Sequence, residues 1–130
     1  MATVREVMST SLHYVSPTTT VGEAVALMAQ HRIGSTLVME GTRLVGIFTE
    51  RDIVRALSQH FDAPGHQVSN WMTREPTMTR TAVSVEDALD LMLSKGFRHL
   101  PVEEGGTVVG IVSMRDLSEA MAEQAEESST

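Results

Sequence analysis

Apolar positions recur along this chain in two rhythms, and the same succession of rhythms runs through it twice. Val21, Ala24, Val25 and Met28 fall at i, i+3, i+4 and i+7, the spacing of one buried helix face, and Val85, Ala88, Leu89 and Met92 repeat it. The methionines on these faces read as core packing. Both stretches open on a capping-box pattern, Thr20-Val21-Gly22-Glu23 and Ser84-Val85-Glu86-Asp87, in which a hydroxyl and a carboxylate three positions on satisfy free amides of a first turn. Two short apolar runs follow each helix: Thr36 to Met39 and Leu44 to Phe48 around Glu40-Gly41-Thr42-Arg43, then His99 to Val102 and Val108 to Val112 around Glu104-Gly105-Gly106. Each pair predicts a hairpin whose glycines supply positive φ. A second helix is predicted from Glu50 to about Gln59 and from Met114 to about Glu123. With a brief extended piece ahead of each first helix, Leu12 to Val15 and Thr77 to Thr79, the order is β-α-β-β-α twice.

The duplication extends to individual residues. Positions 4–57 lie on 68–121 at a constant offset of 64, without a gap. Val4/Val68, Met8/Met72, Val21/Val85, Ala24/Ala88, Leu27/Leu91, Met28/Met92, Val38/Val102 and Gly41/Gly105 are identical. So are Val45-Gly46-Ile47 on Val109-Gly110-Ile111, and Arg51-Asp52 on Arg115-Asp116. The period is too long for a solenoid, and it indicates a duplicated supersecondary unit with an approximate two-fold relation. The expected boundaries are a first repeat over 1–60, a linker over 61–67 with Pro64-Gly65 as its breaker, a second repeat over 68–123, and an acidic tail over 124–130 whose composition can extend a helix and then fray.

Composition narrows the function classes. At 130 residues the chain can build a core without staples, and its lack of cysteine excludes a disulfide framework, a thiol nucleophile and thiolate zinc sites, so the reducing cytoplasm is the expected compartment. A formal charge of -7 opposes attraction to nucleic-acid backbone or anionic lipid. No apolar run approaches the roughly 20 residues needed to cross a bilayer, and the start Met1-Ala2-Thr3-Val4-Arg5-Glu6 lacks a signal-peptide core. The five histidines, at 13, 31, 60, 66 and 99, show no i, i+4 pairing with a glutamate, and no metal site is expected. There is no nucleophile elbow, P-loop or paired-glycine dinucleotide fingerprint, so no catalytic residue is assigned and the chain is not expected to be an enzyme. Trp71 aligns with Val7 and reads as a core or interface anchor rather than a base-stacking platform.

Chemistry concentrates where each hairpin runs into the second helix. Thr49-x-x-Asp52 and Ser113-x-x-Asp116 fit a capping box, which is one complete reading of them. Arg51 and Arg115, however, place cations in a first turn, where the positive end of the helix dipole disfavours them by ~0.3–1 kcal/mol. An anion would resolve that conflict. It could be a phosphate, accepting bonds from the free amides and the hydroxyl while pairing with the arginine, or a carboxylate elsewhere in the protein or in a dimer partner. Asp52 and Asp116 would then offer two acceptor oxygens to a ribose diol. Gly46 and Gly110, just ahead of each motif, read as sites of close strand packing.

The residues Gly46-Ile47-Phe48-Thr49-Glu50-Arg51-Asp52 and Gly110-Ile111-Val112-Ser113-Met114-Arg115-Asp116, together with Phe97-Arg98-His99-Leu100-Pro101-Val102, make the chain resemble a CBS domain pair, or Bateman module, over nearly its whole length. The resemblance implies an α+β fold of tandem repeats packed sheet to sheet with pseudo-two-fold symmetry, and two clefts between repeats that each admit an adenosine ligand. Known ligands of the family are AMP, ADP, ATP, S-adenosylmethionine and, in some members, NAD. By resemblance, one cleft takes Leu12, His13, Ile33 and Gly34 with Ile111, Ser113, Arg115 and Asp116. The other takes Ile47, Thr49, Arg51 and Asp52 with Pro76, Thr77, Phe97, Arg98 and His99. Backbone at Ile33-Gly34 and Phe97-Arg98 would read the adenine edge. Thr36-Leu37 stands where the second copy has Leu100-Pro101, and Arg98 and His99 add cationic or donor groups, so tighter phosphate binding is expected in the Thr49/Asp52 cleft. Family habit implies a homodimer, and with no effector domain attached the regulated target would be a separate protein. Two functions follow: a regulatory adenine-nucleotide-binding module, or a ligand-free dimerisation or protein-interaction module built on the same frame.

Overall fold

The computed structural model describes residues 2–129, which leaves Met1 and Thr130, the outer ends of the expected first repeat and tail, outside the described residues. In chain order the elements are α1 (Val4–Val7), β1 (Tyr14–Val15), α2 (Val21–His31), β2 (Ser35–Glu40), β3 (Arg43–Thr49), α3 (Glu50–Gln59), 3₁₀ turns at Ala63–Gly65 and Val68–Asn70, β4 (Thr73–Arg74), β5 (Thr79–Arg80), α4 (Val85–Lys95), β6 (His99–Glu104), β7 (Thr107–Ser113) and α5 (Met114–Ser129). From α2 to β3 and from α4 to β7, element bounds repeat at the offset of 64 residue for residue. The capping box drives this at α2: Glu23 N donates to Thr20 Oγ1 at 3.1 Å and Thr20 N to Glu23 Oε1 at 3.0 Å. At α4 one arm forms, Asp87 N to Ser84 Oγ at 3.1 Å. Both helices end on a left-handed residue, Arg32 in the first copy and Gly96 in the second.

The chain divides into two compact units, His13–Pro76 and the described part of Met1–Leu12 with Thr77–Thr130. These are not the sequence repeats. The leading segment of each repeat folds onto the other one, through the same pair of backbone bonds. In the unit His13–Pro76, Val68 N donates to Thr19 O and Val21 N to His66 O, each at 2.8 Å. In the other unit, Val4 N donates to Val83 O at 2.8 Å and Val85 N to Ala2 O at 3.1 Å.

The unit His13–Pro76 holds a sheet in the order β1-β2-β3-β4, with β1 parallel to β2 and the other pairs antiparallel. Its core joins Val21, Ala24 and Met28 of α2 to Val38, Phe48, Ala56, Val68, Trp71 and Met72. The other unit holds β5-β6-β7, with β5 parallel to β6. Its core joins Val85, Ala88 and Met92 of α4 to Val4, Leu100, Val102, Val112, Leu117 and Ala120. Both hairpins carry a bulge at the same place, after Val38 and after Val102. Trp71 is thus a core anchor. The second helix of the second copy runs past Glu123 to Ser129, as its Ala, Glu and Gln composition allows.

Pro101 accounts for one difference between the sheets. Leu37 N donates to His13 O at 3.2 Å, and Tyr14 pairs with Leu37. Pro101 stands in the place of Leu37 and has no N–H to give. The parallel pairing in that unit accordingly starts one step later, at Thr79 with Val102.

Candidate functional site

Each of the two residue sets expected from the resemblance draws on both units, so what the structure fixes is the arrangement within each unit. In His13–Pro76, β3 delivers Ile47, which is buried, and Thr49, which caps α3; Arg51 and Asp52 occupy the first turn of that helix. Gly34, in the short loop between α2 and β2, lies beside this helix start, where its carbonyl accepts from Glu50 N at 3.1 Å. Ile33 N closes α2 by donating to Met28 O at 3.0 Å. The His13 carbonyl is occupied by Leu37 N and by Thr36 Oγ1, the latter at 3.1 Å, and the His13 ring stacks on His31 with centroids 3.9 Å apart. Pro76 is the last residue of the unit.

The second unit repeats the plan with changed details. Ile111 sits in β7 and exchanges two backbone bonds with Ser9, at 2.8 and 3.0 Å, on the segment that ends at Leu12. Ser113 closes β7, and Arg115 and Asp116 lie in the first turn of α5. Arg98 takes the place of Gly34: its carbonyl accepts from Met114 N at 2.8 Å while its side chain is exposed. Phe97 N closes α4 on Met92 O at 3.0 Å. His99 is half-buried in β6, opposite Ser113. Thr77 corresponds to His13, but Pro101 and Leu100 carry neither of the two donors that occupy the His13 carbonyl.

The motifs differ in how far their carboxylates are engaged. At Thr49 the capping box is complete: Thr49 N donates to Asp52 Oδ2 at 3.0 Å, Thr49 Oγ1 to the same oxygen at 3.2 Å, and Asp52 N to Thr49 Oγ1 at 3.4 Å. Asp52 Oδ1 accepts from Arg55 Nη2 at 3.2 Å, and the Asp52 side chain is 8% exposed. At Ser113, among the described residues, the one bond of the box that forms is Asp116 N to Ser113 Oγ, at 3.1 Å, and Asp116 is half-buried. The local capping reading of the hydroxyl-x-x-Asp pattern therefore holds fully at one motif and by half at the other. Arg115 meets a carboxylate of its own helix, donating from Nε to Glu119 Oε1 at 3.3 Å on the surface; Arg51 is exposed.

Arg55 is the residue that sequence reasoning passed over. Its Nη2 also donates to Trp71 O at 2.7 Å, and its guanidinium carbon lies 5.2 Å from the Trp71 ring centre. The i, i+3 spacing from Asp52 was a visible signal, and so was the glutamate standing at the equivalent place, Glu119.

A duplicated α+β unit with a hydroxyl-x-x-Asp motif where strand meets helix defines a tandem-repeat module. The chain belongs to the CBS domain family, whose profile matches residues 4–59 and 68–123. It is 43% identical over 125 residues to an uncharacterized 17.7 kDa protein of Acidianus ambivalens, covering 93% of this chain and 74% of that one. Among solved structures it is similar to CBSX2 of Arabidopsis thaliana in complex with AMP, with TM-score 0.80, 27% identity, and coverage of 96% and 99% of the two chains. It is also similar to the CBS domain pair of protein MJ0100 in complex with 5′-methylthioadenosine and S-adenosyl-L-methionine, with TM-score 0.86, 25% identity, and coverage of 95% and 98%. Among the described residues no helix is long and apolar enough to cross a membrane, and no group of three or more His, Asp or Glu side chains could hold a metal ion.

Proposed function

We propose that this chain is a regulatory module that binds AMP, ADP or ATP, with S-adenosylmethionine and NAD as further candidates, and does no chemistry of its own. One observation carries the reading: each unit sets a hydroxyl and an aspartate at the start of a helix, beside a loop of its own unit. Relatives with the same repeat have been solved with AMP, 5′-methylthioadenosine and S-adenosylmethionine bound. In this reading Thr49 and Ser113 donate to a phosphate that also accepts from free amides of the helix start, and Arg51 and Arg115 supply its countercharge. Asp52 and Asp116 accept from the ribose hydroxyls. The two residue sets named from the resemblance, a homodimer, and a separate effector protein belong to the same proposal. Regulation then requires that ligand bind two states of the module with different affinity.

A thermal melt of the whole chain against AMP, ADP, ATP, S-adenosylmethionine and NAD tests this. A ligand at 100 times its Kd adds about 2.7 kcal/mol of stability, a shift on the order of ten degrees at this chain length. No shift with any of the five sinks the reading.

A second reading, a ligand-free dimerisation module, is favoured by an apolar stripe on and just beyond α3. Val54, Leu57 and Phe61, spaced i, i+3 and i+7, are 68%, 49% and 95% exposed. That reading expects flat melting temperatures across the nucleotide panel and a dimer by sedimentation.

A further inference from the structure

Arg55 and Glu119 stand at the same place in the two repeats and carry opposite charge. In the unit His13–Pro76, Arg55 Nη2 bridges Asp52 Oδ1 and the Trp71 carbonyl, at 3.2 and 2.7 Å, with the guanidinium over the indole ring. Asp52 Oδ2 is held at the same time by Thr49 N and Thr49 Oγ1. Both carboxylate oxygens are committed and the side chain is nearly buried. Among the described residues of the other unit no such bridge forms: Val7 takes the place of Trp71, Glu119 offers no donor to Asp116, and Glu119 is drawn to Arg115 instead.

From this asymmetry we infer that Arg55 is a latch that withholds Asp52 from a ribose diol, so that the Ser113/Asp116 motif takes an adenosine ligand first. The inference rests on the proposed function and adds to it an order of filling and the residue that sets the order. A diol must face both oxygens of a carboxylate to be held by two bonds, and at Asp52 a charge-assisted bond from a guanidinium anchored on a backbone carbonyl competes with it. If the open form of Asp52 is populated to a fraction f, the apparent Kd there is the intrinsic Kd divided by f. Arg55 is 47% exposed, so the latch can swing into water and the closure is reversible. Its anchor, Trp71, lies at the start of the second repeat, and Trp71 Nε1 donates to His66 Nδ1 of the linker at 3.3 Å. The latch opposes the preference for the Thr49/Asp52 set that Arg98 and His99 gave from sequence, because that preference counted cations for the phosphate and not the state of the ribose acceptor.

The test is calorimetric titration of the full chain with AMP. Wild type is expected to show one tighter and one weaker site, and Asp116→Ala to remove the tighter one. Arg55→Gln should tighten the weaker site about tenfold, a factor that corresponds to an open fraction near one tenth in the latched form. In Arg55→Gln/Asp116→Ala a single tightened site should remain, and adding Asp52→Asn should abolish it. Arg55→Lys keeps the charge without the fork and gives a milder tightening, so the inference stays testable where Arg55→Gln does not fold. An Arg55→Gln titration that overlays wild type, or loss of the tighter site on Asp52→Asn alone, overturns the latch while leaving the sensor reading intact. Absence of AMP binding in wild type and in every variant overturns both.

Discussion

The sulfur of Met72 lies over Gly46 so closely that a Cβ built on the glycine would stand 2.5 Å from Sδ and 2.9 Å from the Thr73 carbonyl oxygen. Gly110 meets Met8 in the same way, at 2.6 Å from Sδ and 3.0 Å from Ser9 O. The thioethers can move aside. The carbonyls cannot, because they belong to segments bonded to the strand itself, β4 at Gly46 and the Ser9 bridge at Ile111. Gly46→Ala and Gly110→Ala are therefore each expected to cost about 1–3 kcal/mol, the range of overpacking, read as a lower urea midpoint at unchanged slope. A loss under about 0.5 kcal/mol, the scale of an ordinary surface change, would mean that the strands are not pinned there.

Arg32 holds φ 54 and ψ 45 at the end of α2, where its N–H reaches Ala29 O and Met28 O. The equivalent residue at the end of α4 is Gly96, at φ 74. Left-handed backbone costs a residue with a Cβ roughly 1–2 kcal/mol, and glycine gives back roughly 0.5–1 kcal/mol through its freer unfolded chain. Arg32→Gly should on balance stabilise by about 0.5–1 kcal/mol, and Gly96→Ala should destabilise by a similar amount. The paired variants in one background make the comparison internal to the chain, and matching signs would refute it.

The first turn of α2 gives the pH dependence. Glu23 is held below the ordinary glutamate value, first by the backbone N–H of Thr20 and then by its hydroxyl, with a small opposing push from burial. A folded value below the unfolded one means that the unfolded chain binds the proton more readily. The contribution is thus present above the unfolded value, about 4.3, and fades as pH falls through the lower folded value. Glu23→Gln keeps the bonding geometry of the box but not the charge. Its melting temperature is expected to lie below wild type near neutral pH and to converge with it below about pH 4. A constant gap over that interval would assign the effect to packing.

The helices, hairpins and caps were legible because their signals are local. Period, a hydroxyl three residues ahead of a carboxylate, and glycines at the turns fix the starts of α2 and α4 and place both hairpins to within one or two residues at each end. The exchange of leading segments was not legible, since Val4 on Val83 and Val68 on Thr19 are contacts across the chain, and two-residue strands such as β4 have no period to read. The identities Met8/Met72 marked those segments without saying that each lies under the glycine of the other repeat. At the candidate site the hydroxyl and aspartate were readable from spacing. The engagement of Asp52 was not, because it depends on a bond from Arg55 to the main chain of Trp71, sixteen positions on.

That engagement separates the two aspartates in stability as well as in the proposed order of ligand binding. Asp52 satisfies Thr49 N, takes the Thr49 hydroxyl and receives Arg55, all with little access to water. Removing it orphans the amide and leaves the guanidinium with one partner fewer, so Asp52→Ala is expected to cost about 2 kcal/mol, at the upper end for a lost cap. Asp116 contributes only its backbone N–H to the Ser113 hydroxyl, a bond that survives truncation of the side chain. Asp116→Ala should stay within about 0.5 kcal/mol of wild type, as a substitution that breaks no side-chain bond does. Urea unfolding of the two variants without ligand measures the difference, and equal losses would place Asp116 in a bonded network like that of Asp52. A large loss at Asp52 with a near-neutral Asp116 fits one aspartate built into the frame and the other left open to a ligand.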